Sequence, residues 1–256
     1  MKKRSCIWRC RAGFLLAAAA LQIPMSIGAV DENTPPLPAL RELAPNVYAV
    51  GKMRLDKNRN TLTFPGTLRL DKGYLEYVLV APFGSTHESL LVTDVQPSDV
   101  HFAMLLLGAK GAGILTPGAT DKPPGQIDAE YLRRAPKLQG DPVTITVRWT
   151  DQGKEREARV EEWIFNKATN KPAEKAPWIY TGSMFSEGKF MAQIEGAFAA
   201  VVTNPSALIN NPRRGNDDDQ IWIVNEKTVP PSETPLDITI HLEPGEKKKA
   251  ETGPPK

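Results

Sequence analysis

The sequence predicts an α+β fold dominated by strands, arranged as one domain or as two packed halves, with one short buried helix near residues 97–107. Three observations predict it. Alternation of period two recurs along the chain and is clearest where Val143, Ile145, Val147 and Trp149 oppose Thr144, Thr146, Arg148 and Thr150. Only one apolar stretch, Pro97 to Leu107, carries both a helix start and a helix stop. The 23 prolines among 256 residues exceed the ordinary share of about 5% and argue against a helical bundle, because proline breaks helix interiors. At 41% hydrophobic and 24% charged residues, the chain has enough apolar surface to bury a core unaided.

The elements follow in order. Residues 30–46 hold Pro35, Pro36, Pro38 and Pro45 and read as an extended leader. Val47 to Arg54 alternates weakly, as one strand. Thr61–Phe64 and Thr67–Leu70 alternate on either side of Pro65-Gly66, which reads as a break between two strands. Tyr74–Val80 and Ser89–Val92 are apolar strands separated by Pro82 and Gly84. In the helix, Pro97 suits the first helical position, Asp99 faces the positive end of the helix dipole, and Gly108 suits the stop. About 11 residues are too few to cross a bilayer, which needs roughly 20, so this is a core helix.

The segment 108–142 is rich in Gly and Pro and reads as a long loop, with a helical turn or two over Ile127–Arg134. Asp151-Gln152-Gly153 turns the Val143 strand back into a polar strand running through about Phe165. Further strands are expected at Trp178–Phe185, Lys189–Ile194, Phe198–Thr203, Gln220–Val224 and Leu236–Leu242. Asn204-Pro205 has the form of an N-cap and first helical residue, which predicts a short helix through Ile209.

The first 29 residues set the compartment. Lys2, Lys3, Arg4, Arg9 and Arg11 precede an apolar run from Phe14 to Ile23, and Ser26, Gly28 and Ala29 follow. That is the form of a secretory signal cleaved near Ala29, and it predicts a periplasmic or extracellular protein with no stable membrane span. Both cysteines, Cys6 and Cys10, lie in this segment. The mature chain then has none, so disulfides, thiolate zinc sites and iron–sulfur clusters are not expected. The whole chain carries +2; without the signal, 27 basic residues face 30 acidic ones. That balance gives no case for nucleic-acid binding. Residues 245–256 read as a disordered basic tail.

Few motifs carry chemistry. Three histidines occur. His241 alternates with Leu236, Ile238, Ile240 and Leu242 and falls on a polar strand face. His87-Glu88 lacks the second His four residues on that a zinc-protease helix requires, since Leu91 stands there. His101, in the first turns of the helix, is held neutral by the dipole, the form that ligates metal and also the form that buries well. A divalent-metal site would therefore use His87, Glu88 and His101, with acidic support from Asp217 or Asp219. In that hydrolase reading, Glu88 acts as base on a metal-bound water. Asp217, Asp218 and Asp219 repel one another, which a hard cation relieves, although EF-hand spacing fails at Ile221 and Trp222. Arg213 and Arg214 offer the alternative neutralisation. Gly108 to Gly113 follows a helix and lacks the order of a phosphate loop. No Gly-x-Ser-x-Gly elbow occurs, and no nucleotide or flavin cofactor is indicated. Trp163, Trp178 and Tyr180 lie beside polar residues and are the candidates for a ligand groove.

Several stretches together resemble the YdjY-domain family of secreted bacterial proteins, which has no assigned activity. They include Gly51 to Asp56, Phe64-Pro65, Gly73 to Tyr77, Thr86 to Thr93, His101 to Lys110, Glu162-Trp163 to Asn166, Trp178 to Ser183, Asn210-Asn211-Pro212, Asp217 to Trp222 and Val229-Pro230-Pro231. The likeness spans roughly residues 45–242 and sets the domain at 47–244. Some members carry a ferredoxin-like label; a mature chain without cysteine gives it no ligands. The expectation is an exported soluble module that binds or supports rather than catalyses, with a small molecule or an envelope protein as partner. The alternative is a divalent-metal-binding protein or metal-dependent hydrolase.

Overall fold

The computed structural model describes residues 38–111 and 138–244. The expected signal, the helical turns at Ile127–Arg134 and the basic tail lie outside the described residues.

The chain starts as a meander of β1 (Leu40–Ala44), β2 (Val47–Val50), β3 (Met53–Asp56) and β4 (Thr61–Leu68). β5 (Tyr77–Val80) is followed by a 3-10 turn at Thr86–Glu88, β6 (Ser89–Val92) and helix α1 (Pro97–Leu107). β7 (Asp141–Asp151) and β8 (Lys154–Arg159) form a hairpin. A 3-10 turn at Val160–Trp163 leads to β9 (Ile164–Asn166) and β10 (Lys171–Pro172). Then come β11 (Trp178–Tyr180), the two-residue strands β12 (Phe185–Ser186) and β13 (Lys189–Phe190), and helix α2 (Met191–Glu195). β14 (Ala197–Ala200), β15 (Ile209–Asn210), β16 (Trp222–Val224) and β17 (Pro235–Leu242) complete the order.

Eight strands close into a mixed barrel in the order β4, β17, β7, β11, β15, β14, β5, β6 and back to β4. The pairs β5–β6 and β14–β15 are parallel; the rest are antiparallel. β1–β3 extend the sheet beyond β4, and β8 extends it beyond β7. Both halves of the sequence contribute to this barrel, so one closed sheet replaces the alternative of two packed halves. Its centre is β17, bonded along its length to β4 and β7. Ile238 lies between Phe64 and Val147, and Ile240 between Leu62 and Ile145; all are at most 1% exposed. An eight-stranded barrel is just wide enough for side chains to fill it.

Several expected elements differ. Val47–Arg54 is a hairpin, not one strand, because Gly51 (φ 57°) turns the chain. Pro65-Gly66 does not break β4. Along β4 the partner changes there, from β3 at Thr61–Thr63 to β6 at Thr67-Leu68. The Pro65 carbonyl is taken by the Thr93 hydroxyl at 2.7 Å, so the side of Pro65 without an N–H needs no ladder partner. The strand expected through Phe165 is interrupted at Val160–Trp163, where the Glu162 carboxylate accepts the Arg159 N–H at 3.1 Å. Lys189–Ile194 is β13 followed by α2. Ser183 Oγ accepts the Ala192 N–H at 3.0 Å, and Gly196 (φ 67°) ends the helix. Asn204-Pro205 starts a turn, not a helix: the Asn204 side chain accepts the Ser206 N–H at 2.7 Å, and Ile209-Asn210 is drawn into pairing with β11 and β14.

α1 matches its expected bounds. Pro97 is at its start, and Gly108 (φ 98°) closes it by donating to Leu105 O. Val100, Ala103 and Met104 are buried, whereas Leu105 is 45% exposed, so the helix is seated on the core by one face. No helix among the described residues is long and apolar enough to cross a membrane.

Candidate functional site

The structure separates the residues that the sequence grouped. His87 lies on the 3-10 turn before β6 with its side chain 80% exposed, and its Nε2 is 3.7 Å from Glu88 Oε2. Glu88 shares a neighbourhood with Glu76, which sequence reading did not single out. The Glu76 carboxyl is raised above its ordinary value by burial first, then by the Glu88 and Asp219 carboxylates. Asp219 also lies close enough to Glu76 to act on its charge. It is engaged by the Gln220 side chain at 2.9 Å, while Asp218 accepts the Gln220 N–H at 2.9 Å. Among the described residues, however, no group of three or more His, Cys, Asp or Glu side chains is close enough to hold an ion. The set His87, Glu88, His101, Asp217 and Asp219 is not assembled.

His101 is committed elsewhere. Its Nδ1 is 2.6 Å from the Tyr180 hydroxyl, and the Phe190 ring is 4.8 Å away. Burial lowers the affinity of His101 for a second proton. Burial, then the Asp141 carboxylate, pushes the Tyr180 phenol far up. Both groups are therefore neutral, and one hydrogen bond joins the phenol oxygen to Nδ1. Asp141 in turn accepts the N–H groups of Lys110 and Gly111 at 2.7 and 2.9 Å. The cluster fastens α1 and the chain leaving it to β11 and the start of β7. Sequence reading did not pair His101 with Tyr180, which is 79 residues away.

Trp163, Trp178 and Tyr180 are 0%, 1% and 0% exposed. They are core residues and line no open groove, a correction to the sequence expectation. Trp178 and Tyr180 are two apart on β11, which turns both to the same face of the strand. Beside them is a buried ionic clamp. Glu161, fully buried, accepts from Arg159 at 2.6 Å, Arg213 at 2.9 Å and Trp178 Nε1 at 3.3 Å. Arg213 lies over the Trp178 ring at 4.8 Å and donates to Asn211 Oδ1 and to the carbonyls of Glu174 and Ala176. Arg213 therefore serves Glu161 rather than neutralising the aspartate loop. A charge pair this thoroughly satisfied is architecture, since a buried charge without such partners is costly.

Among the described residues, one open cavity lies beside the seam where β4 meets β6. It has a volume of about 330 Å³ and is lined by Thr67, Leu68, Arg69, Pro82, Thr86, Val92 and Glu233. Thr67 pairs with Val92 across the seam. Arg69 Nη1 donates to Glu233 Oε1 at 3.1 Å at the rim. Glu233 is held in the left-handed region (φ 63°), its N–H on Leu68 O at 2.8 Å. Sequence reading missed this site because its residues come from four separate segments, none with a motif. The one local signal was Pro65-Gly66, read as a strand break where the barrel makes its seam. A second shallow hollow of about 360 Å³ adjoins in sequence, lined by Asp71, Lys72, Glu226, Val229, Pro230 and Pro231.

The sequence model of the YdjY domain matches residues 53–241. No curated protein matches the chain, and no solved structure matches it.

Proposed function

We propose that this chain, which belongs to the YdjY-domain family, is an exported binding module and that the cavity at the β4–β6 seam is where it takes a small ligand. The observation that carries the reading is the cavity itself: about 330 Å³ of open space walled by apolar and polar groups together, within the size range of small-molecule sites, roughly 300–1,000 Å³. The barrel interior supports it by exclusion, since core side chains fill it. The histidine with a lowered proton affinity is already bonded to a buried tyrosine, which favours binding over acid–base catalysis. Export is read from the basic and apolar segment ahead of Ala29.

A fragment screen read by amide chemical shifts tests the site. The expected result is a set of ligands whose perturbations centre on Thr67, Thr86 and Val92; perturbations centred on another surface overturn it. Terminal sequencing of protein recovered from the cell envelope tests export, with a first residue near Val30 expected and an intact Met1 in the cytosol as the contrary outcome.

A further inference from the structure

We infer that the seam cavity takes a small zwitterion, a molecule bearing an ammonium and a carboxylate a few bonds apart, as a free amino acid or the shortest peptide does. The inference rests on the reading of this cavity as the binding site and adds the chemistry of what fills it.

The rim carries one charge of each sign, Arg69 and Glu233. Arg69 donates one N–H to Glu233 at 3.1 Å. Its other guanidinium N–H groups and the hydroxyls of Thr67 and Thr86 carry no hydrogen bond among the described residues. A carboxylate entering the cavity meets a planar fork of donors flanked by hydroxyls, the arrangement that binds carboxylates best. An ammonium beside it meets the free oxygen of Glu233. The Arg69–Glu233 pair stays intact, and the four charges alternate around a ring. A lone anion would face Glu233, and a lone cation would face Arg69, so each is disfavoured by the group that welcomes the other half of a zwitterion.

The backbone that bears the two side chains is fixed by hydrogen bonds. Arg69 N–H bonds Leu90 O at 2.8 Å, Leu68 N–H bonds Thr234 O at 3.0 Å, and Glu233 N–H bonds Leu68 O at 2.8 Å. The last of these keeps Glu233 in a conformation that residues with side chains rarely adopt. The apolar lining of Val92 and Pro82 suits an aliphatic side chain. A volume of about 330 Å³ admits an amino acid or dipeptide.

Titration calorimetry of the purified protein tests this with L-leucine, L-leucyl-L-leucine, N-acetyl-L-leucine and L-leucinamide. Saturable binding of leucine or dileucine is expected, and which of the two binds more tightly separates free amino acid from peptide. The blocked forms, each lacking one charge, should bind at least about tenfold more weakly, the scale of a lost charged hydrogen bond. Arg69→Met and Glu233→Gln should each weaken leucine or dileucine by a similar factor while leaving the melting temperature unchanged, since both side chains are about half exposed or more. Equal binding of the blocked forms, or no binding of either zwitterion, overturns the inference. Neutral fragments run in parallel separate the two readings: if they perturb Thr67, Thr86 and Val92 while the zwitterions do not bind, the cavity stands and the zwitterion falls. If neither class binds there, both fall.

Discussion

Adding a single methyl group at Gly66 probes how the barrel closes beside the cavity. A Cβ at this position would come 2.5 Å from Ile238 Cδ1, 3.2 Å from Ile238 Cγ1 and 3.2 Å from Val92 O. Ile238 is fully buried between Phe64 and Val147, so its tip has no free space to enter. Overpacking of this kind costs about 1–3 kcal/mol. Alanine returns about 0.4–1 kcal/mol by restricting the unfolded chain, since nothing in the Gly66 backbone forbids it. The expected net loss for Gly66→Ala is therefore about 1–2 kcal/mol. Ile238→Val removes Cδ1, the atom struck, at its own cost of about 0.5–1.5 kcal/mol. In the Ile238→Val background, Gly66→Ala should then cost about 1 kcal/mol less than in the parent, a coupling that a double-mutant cycle measures. Urea unfolding with linear extrapolation supplies the four stabilities. Additivity within about 0.5 kcal/mol would refute the argument, for it would mean that Ile238 is not what requires glycine at the seam.

Other perturbations follow from the same geometry. Glu161→Ala strands the buried Arg213 charge and should cost about 3–5 kcal/mol in urea unfolding; a loss under about 1 kcal/mol would show the clamp to be dispensable. Glu76 holds its proton more tightly when folded, so its contribution to stability declines as pH rises above its unfolded value near 4.5. Glu76→Gln should therefore stabilise the protein at pH 7 and make no difference below about pH 4, as thermal melts across that range would reveal. His101 runs the other way: its folded proton affinity is depressed, so the stability it supports is whole above its unfolded value of 6.5 and fades as pH falls below it. Imidazole NMR should place its titration below 6.5; a His101 titration at or above that value contradicts the burial argument.

Local signals recovered what local physics determines. α1 was legible because Pro97 and Gly108 act on their own helix ends, and β17 because Leu236, Ile238, Ile240 and Leu242 repeat every second residue against two neighbouring strands. The misreadings arose where a distant partner decides. Met191–Glu195 became helical with Ser183 bonded to its first turn and Gln193 reaching Ser98 on α1 and Gln96 just ahead of it. Asn204-Pro205 stopped at a turn because Ile209 and Asn210 belong to the barrel. Among candidate site residues, histidines and aspartates stood out by residue type, yet type says nothing about proximity. Arg69 and Glu233 are 164 residues apart, and neither sits in a pattern that chemistry alone would select.

Barrel closure also explains why the open site is on the wall. Eight strands leave an interior that Leu62, Phe64, Ile145, Ile238 and their neighbours fill, so a ligand inside would have to displace core. β4 and β6 pair at Thr67 with Val92 and at Leu68 with Leu91, and the Arg69 N–H continues the contact to Leu90 O. The chain after β6 leaves with Thr93 bonded to Pro65 O and Val80 O, while Arg69 and the Glu233 turn rise on the other side. The hollow beside the seam is bounded by backbone held through the barrel's own hydrogen bonds. Geometry that closes the fold thereby also presents Arg69 and Glu233 in one place, which loops free of the sheet would do at greater cost in conformational entropy.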